Sequence, residues 1–201
     1  MLLYGASGHA KVICSCIESN GVPINGIFDD DISKKLLLSF PVVGPYQSTF
    51  QSDDDLIIAI GNNRIRQKVA QTIQHRFGNV SHTSAIIDQH TKVGDGTVVF
   101  HQAVIQSDSS IGQHCIINTS ASVDHDCLID NFVHISPKAT LCGNVTVGEG
   151  SWIGAGATVI QGIKIGKWAT IGAGAIITKD VPDYAVVVGS PGKVIKYNND
   201  K

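Results

Sequence analysis

The sequence predicts two joined folds. A small α/β unit with a parallel sheet occupies residues 1–80, and an all-β solenoid of stacked coils occupies 81–201. Three observations predict this. From Ile87 to Ile177 an aliphatic residue recurs at every sixth position, sixteen times without a miss. A strict short period with one fixed apolar position marks coils stacked into a rod. Before about Asn79 that period is absent, and strand-like apolar runs alternate with helical stretches, as in a parallel α/β sheet. The hydrophobic share is 43% against 16% charged residues, enough to give a soluble chain a sizeable core.

The elements follow in order. Leu2-Leu3-Tyr4 reads as a short strand. Gly5-Ala6-Ser7-Gly8-His9 is a turn, and Ser7 stands where it would cap a helix over 9–19. Residues 24–28 form a second strand that ends at Asp29-Asp30-Asp31, and Pro41-Val42-Val43-Gly44 is a brief extended piece. Residues 56–60 are a buried strand, and Gly61-Asn62-Asn63 turns into a helix over 64–75. The unit holds about four strands. In the second half, the residue four places after each aliphatic is usually small, as at Ala103, Cys115, Ala121, Cys127 and Ala157. Gly or Asp often follows the aliphatic itself.

Several function classes drop out. A net charge of −2 offers no basic field for nucleic acid or anionic lipid. No apolar run is long enough for a membrane span, and the N-terminus lacks a basic segment before its apolar residues. Five cysteines, an odd number without a CxxC pair, fit reduced thiols in the cytoplasm. No two histidines are five residues apart, which argues against a zinc site of the three-histidine kind. The remaining histidines, His75, His82, His90, His101 and His114, read as surface groups.

One segment stands out, Ser122-Val123-Asp124-His125-Asp126-Cys127-Leu128-Ile129, followed by Phe132-Val133-His134-Ile135-Ser136-Pro137 and Cys142-Gly143-Asn144-Val145. Spacing alone favours a solvated surface histidine at His125. A second candidate is the glycine turn, whose place between strand and helix suits phosphate binding. It matches neither GxGxxG nor a Walker loop, and by itself it reads better as a tight structural turn between strand and helix.

Together these motifs resemble the hexapeptide-repeat, left-handed β-helix sugar acetyltransferases, which include UDP-4-amino-sugar N-acetyltransferases of bacillosamine-type pathways and sialic acid O-acetyltransferases. The resemblance covers nearly the whole chain. It implies a Rossmann-like nucleotide-sugar-binding domain, then coils of three hexapeptides, so that residues i and i+18 stack about 4.8 Å apart. Sixteen repeats make about five coils. His125 then matches the catalytic base, Asp126 its acidic neighbour, His134 a second histidine near the acetyl group, and Gly143 the amide facing the thioester oxygen. Many relatives carry Glu where this chain has Asp126, one methylene shorter.

Acetyl-CoA is the implied co-substrate, with no metal. His134, Gly143, Gly154, Gly172 and Gly174 would lie along it, the glycines allowing close backbone approach. Lys193 and Lys196 would meet its phosphates or remain solvated charge. Gly5, Ser7, Gly8, His9, Asp29, Asp30, Ile60, Gly61 and Asn62 match the nucleotide-sugar pocket. Outward apolar residues at Val98, Val104, Ile116, Leu128, Phe132, Trp152, Trp168 and Ile176 mark an interface, read as a homotrimer. The expected activity is N-acetylation of a UDP-activated amino sugar for bacterial surface glycans. O-acetylation of sialic acid and a non-catalytic trimeric partner role stay open.

Overall fold

A computed structural model describes residues 1–198. In the first unit, β1 (Leu2–Tyr4), α1 (Gly8–Ser19), β2 (Gly26–Phe28), β3 (Leu36–Leu37), β4 (Phe40–Gly44), β5 (Leu56–Ile58) and α2 (Asn63–Ala70) follow one another. The sheet order is β3-β4-β2-β1-β5. Strands β4, β2, β1 and β5 run parallel, and β3 is an antiparallel addition to β4. β3 is the strand that the sequence reading lacks. Helix α2 ends at Ala70, five residues before the expected 75. Beyond it His75 is buried, with its Nδ1 2.8 Å from the Tyr46 hydroxyl.

The second unit is a three-faced parallel β-helix. Its first face stacks Val80–Ser81, Val98–Val99, Ile116–Ile117, His134–Ile135, Trp152–Ile153 and Thr170–Ile171. The second runs from Ile86–Ile87 to Ile176–Ile177, and the third from Lys92–Val93 to Lys164–Ile165. The registers pair Ile105 with Val123, Val123 with Leu141 and Leu141 with Val159, each eighteen residues apart. The periodic aliphatics fill the interior from Val99 to Ile177, almost all fully buried. The stack begins one strand before the aliphatic series, at Val80–Ser81, where Ser81 holds the periodic place. Polar residues at the small inward positions donate to the next coil. Thr97 Oγ1 reaches Gly112 O at 2.8 Å, Ser109 Oγ reaches Asp124 O at 2.7 Å, and Ser151 Oγ reaches Gly166 O at 2.6 Å. This satisfies the buried hydroxyls. Cys115 and Cys127 are buried there as expected, and all five cysteines are free thiols.

The chain leaves the prism after Ile177 and closes with a hairpin, Ala185–Val188 and Lys193–Tyr197, which extends the first face.

Part of the expected interface is internal. Val98 and Ile116, outward on the lower first face, are 2% and 1% exposed because α1 and the first sheet pack on them together with Phe100. The N-terminal unit covers them, not a second copy. Phe132 is likewise engaged at the junction, stacked 5.0 Å from the His114 ring with 9° between planes. Leu128, Trp152 and Ile176 do stay exposed. His114, expected at the surface, is buried between Phe132 and Phe77, whose ring meets it edge-on at 4.4 Å.

Arg66 fastens the junction. It is 1% exposed, and its guanidinium donates to His114 O, Ile60 O, Gly61 O, Asn63 Oδ1 and Phe132 O at 2.7–3.2 Å. These acceptors belong to the loop after β5, to α2 and to two corners of the β-helix. Burial lowers its pKa to about 10, so it stays cationic at neutral pH.

Candidate functional site

His125 and Gly143 meet as the eighteen-residue stack requires. A Cβ built on Gly143 would stand 2.7 Å from His125 Nε2 and 2.6 Å from its Cε1. Only glycine leaves the imidazole that place. The other ring nitrogen, Nδ1, is 2.7 Å from Asp126 Oδ2. Asp126 thus reaches the ring despite its short side chain, from a corner with φ 59. Such a φ suits Asp and Asn better than most residues. The hydrogen bond that His125 Nδ1–H donates to Asp126, and then the charge of Asp124, raise the His125 pKa. With Nδ1 engaged, Nε2 faces the space in front of Gly143. No backbone carbonyl among the described residues accepts the Gly143 N–H. A histidine base and a backbone amide without a carbonyl partner therefore lie side by side, the kind of pair that acyl transfer uses.

His134 does not join them within one chain. It lies on the first face, whereas His125 sits at the corner between the second and third faces. Its Nε2 is 3.0 Å from Asn118 Nδ2, and its ring also bonds the Gly61 backbone. Asn118 Oδ1 accepts from Thr119 N, which turns the amide NH2 toward His134. Nε2 is therefore the acceptor, and the proton lies on Nδ1. Burial first, then the charge of Arg66, lowers the His134 pKa to about 3. Within one chain both nitrogens are engaged, and His134 links the β-helix to the 60–62 loop.

The glycine turn has the expected place. Gly5 takes φ 109, and a Cβ there would meet Ala59 O at 3.0 Å and Ile60 Cγ1 at 3.2 Å. Only glycine brings the ends of β1 and β5 together so closely. Ser7 occupies the N-cap of α1 but makes no side-chain cap bond, and the first turn holds no acidic residue. The helix N-terminus is thus left open to an anion. His9 packs its ring against Phe100 and His134 at 5.4 and 6.4 Å, and burial lowers its pKa to about 4.

Asp29 accepts from Ala6 N at 2.6 Å, Asp31 N at 3.0 Å and Lys34 Nζ at 2.9 Å. Burial opposes its charge, yet these donors hold its pKa below the ordinary value. Its oxygens are committed to shaping the turn. Asp30 is exposed and accepts the Tyr4 hydroxyl at 2.7 Å. Gly61 and Asn62 line a hollow of about 690 Å3 with His134, Trp152 and Trp168. Asn62 Oδ1 also caps α2 by accepting from Ile65 N at 3.0 Å.

The expected cofactor glycines divide. A Cβ on Gly154 would stand 2.5 Å from Ile171 O, and one on Gly172 2.8 Å from Val188 Cγ1. Their missing side chains serve coil stacking and the closing hairpin. Gly174 has φ 66 and open space beside it. Lys193 and Lys196 stand exposed on the last strand. Sequence reasoning missed Arg66, Asn118 and the hollow. Trp152 lies eighteen residues after His134, a stacking signal that would have paired them. Among the described residues no cluster of three or more His, Cys, Asp or Glu could hold a metal ion, and no helix is long and apolar enough to cross a membrane.

Residues 1–73 match the family described as PglD N-terminal domain, and residues 144–179 match the bacterial transferase hexapeptide family. The chain is similar to the perosamine N-acetyltransferase of Caulobacter crescentus, solved with CoA and GDP-perosamine. Identity is 35% over 97% of this chain and 96% of that one, with a TM-score of 0.94. It is also similar to the acetyltransferase domain of PglB from Neisseria gonorrhoeae, at 38% identity over 96% and 98% of the two chains, TM-score 0.91. An uncharacterised mimivirus protein is 32% identical over 82 residues, which is 40% of this chain and only 16% of that protein. The stacked coils are the left-handed hexapeptide β-helix of these relatives.

Proposed function

The chain belongs to the acetyl-CoA-dependent, hexapeptide-repeat sugar acetyltransferases, and on that premise we propose that it N-acetylates a nucleotide-activated amino sugar with His125 as general base. The neighbours were solved with CoA, acetyl-CoA and GDP-perosamine, so acetylation of a nucleotide sugar is the common chemistry. The observation that carries the base is His125 Nε2 held over Gly143, with Asp126 at 2.7 Å on Nδ1.

The acceptor amine attacks the thioester carbon. Its proton passes to His125 Nε2 while the carbonyl oxygen takes negative charge beside the Gly143 N–H. The intermediate collapses as the C–S bond breaks, and the imidazolium returns its proton to the CoA thiolate. Asp126 stabilises the imidazolium in between.

The nucleotide is assigned to the glycine turn, with diphosphate at the open N-terminus of α1 and base or ribose near Asp30. We read the nucleotide as UDP. This pocket stands against the first face, and His125 stands at the opposite corner. A second copy must therefore bring its His125 to the bound sugar. Uncovered Leu128 and Ile176 on the other faces, and Ile195 and Tyr197 on the edge strand, supply apolar contacts for a homotrimer. A site of this kind works in the cytoplasm, where acetyl-CoA and sugar nucleotides are found.

Thiol release from acetyl-CoA tests the reading. UDP-4-amino-4,6-dideoxy sugar, GDP-perosamine and free sialic acid are offered in turn. Release with a nucleotide amino sugar, with an N-acetyl product by mass, is expected. Release with sialic acid alone would overturn N-transfer.

A further inference from the structure

Ile32, Leu36 and Leu38 are 69%, 66% and 56% exposed, and all three lie on the hairpin of β3 and β4 or on the turn that leads into it. Leu38 stands at the tip. Leu37 pairs with Phe40, so Leu38 and Ser39 form a two-residue turn, and Leu38 takes φ 55. Such turns favour Gly, Asn or Asp at a positive φ, and a bulky aliphatic there is an outlier. The fold of a single chain leaves all three side chains in water.

The place of the hairpin follows from the sheet order. The loop after β5 is fastened by Arg66 to the corners at His114 and Phe132, between the third and first faces. Helix α1 is tied to the other side of the first face. Ser15 Oγ is 3.2 Å from His101 Nε2, and Asn20 Nδ2 donates to Ser81 O at 2.8 Å. β3 is the edge of the sheet farthest from β5, four strand spacings or about 19 Å away. It therefore overhangs the corner between the first and second faces.

The corner between the third and first faces is closed by Arg66 and by Asn63, whose Nδ2 donates to Gly150 O at 3.0 Å. The partner's His125 thus comes to the pocket across the first–second corner. His125 itself lies on the corner between the second and third faces. When those two corners meet, the partner's third face lies alongside, beneath the overhanging hairpin. That face carries Leu128, which is 53% exposed and borders a groove of about 310 Å3 with Ser110, Thr146 and Asp130 in its walls.

The charges agree. Lys35 is exposed on the hairpin, while Lys34 is held by Asp29 at 2.9 Å. The corner at His125 carries Asp108 and Asp126, both exposed, and Asp130 lies beyond them in the groove. An anionic lipid surface fits less well, because Asp30 and Asp31 stand beside these lysines.

We infer that the β3 hairpin is a docking surface for a second copy of this chain. Ile32, Leu36 and Leu38 seat on the third face of that copy at its Leu128, and Lys35 meets its acidic corner. The inference rests on the shared-site reading above and adds the surface that aligns the site. The segment of the hairpin begins at Asp29, which also accepts from Ala6 N at 2.6 Å. Docking therefore sets the glycine turn of one copy against the partner's His125.

Cross-linking of the full-length chain tests this. Leu36→Cys and Leu128→Cys are combined with Cys142→Ser, the other four native thiols being buried, and treated with a short bismaleimide. Covalent dimers and trimers are expected on a denaturing gel. Each single cysteine variant, and a pair of Leu128→Cys with Ile65→Cys on α2, should give about tenfold less. Leu36→Asp is expected to lower kcat/KM for the nucleotide sugar about tenfold, as for a buried interface anchor. Lys35→Glu should lower it about threefold, and Asp108→Lys added to it should restore the loss. A trimer in sedimentation without the Leu36–Leu128 cross-link overturns the docking, whether or not the wild type transfers acetyl. A chain that sediments as a monomer overturns it together with the shared site. Cross-linking beside a wild type that transfers no acetyl group contradicts the transferase reading and leaves the docking standing.

Discussion

The β-helix and the N-terminal unit are held together by different means. In the β-helix each coil repeats the last, so one aliphatic every six residues builds an interior of identical layers. The N-terminal unit has no such repetition, and its sheet is finished against the β-helix by Val98, Phe100 and Ile116. The seam between the two is polar and singular, made by Arg66, His114, His134 and Asn63. Repetition makes a stiff rod that sets His125 over Gly143 by register alone. The seam makes a pocket whose shape depends on a few unrepeated side chains.

Breaking the register should have the largest effect. Gly143→Ala puts a methyl into the imidazole position without requiring a forbidden φ. Acetyl transfer should fall by about 10²–10⁴-fold, the contribution of a positioned base, while circular dichroism and oligomeric state stay as in the wild type. Breaking the seam comes next. Arg66→Leu removes five hydrogen bonds, each worth about 1 kcal/mol net. Calorimetry should show the N-terminal unit melting ahead of the β-helix, and a single unsplit transition would mean that the seam does not couple them.

Acid should also find the seam. His9 and His114 have pKa values lowered to about 4, and His134 to about 3, in each case by burial and then by Arg66. They fold neutral and charge on unfolding, so their contribution is full above about pH 6.5 and is lost progressively as pH falls toward 4 and below. Unfolding at pH 5 should take up about three protons more than at pH 8, measurable from calorimetry in buffers of different ionisation enthalpy. The smallest effect belongs to Asp126→Asn. Asp126 raises the His125 pKa, and a neutral base is required. The acid limb of kcat/KM should therefore move to lower pH, with a reduced plateau. An unmoved limb would assign that limb to another group.

The contrast between rod and seam also explains what could be read beforehand. The stacked coils follow from the strict six-residue period, and the eighteen-residue register that brings His125 to Gly143 follows once the family resemblance supplies three hexapeptides per coil. Two histidines expected at the surface, His75 and His114, are buried, and nothing local in the sequence marks their burial. His114 has ordinary neighbours in sequence, and Phe77 and Phe132 reach it from 37 and 18 residues away. The outward apolar residues were read as one interface, but an eighteen-residue stack divides them. Val98 and Ile116 form a column on the lower first face, and the same column continues as His134, Trp152 and Thr170. It turns polar and aromatic where the N-terminal unit stops covering it. That change in a single column was present in the sequence and marks both the domain contact and the hollow.

The most direct measurement is single-turnover acetyl transfer by His125→Ala beside the wild type, with the amino-sugar nucleotide that the wild type prefers and with CoA binding followed in parallel. Transfer lost by about 10² or more, with CoA affinity, folding and assembly retained, is the expected result. Transfer at the wild-type rate in His125→Ala would contradict the assignment of His125 as the base.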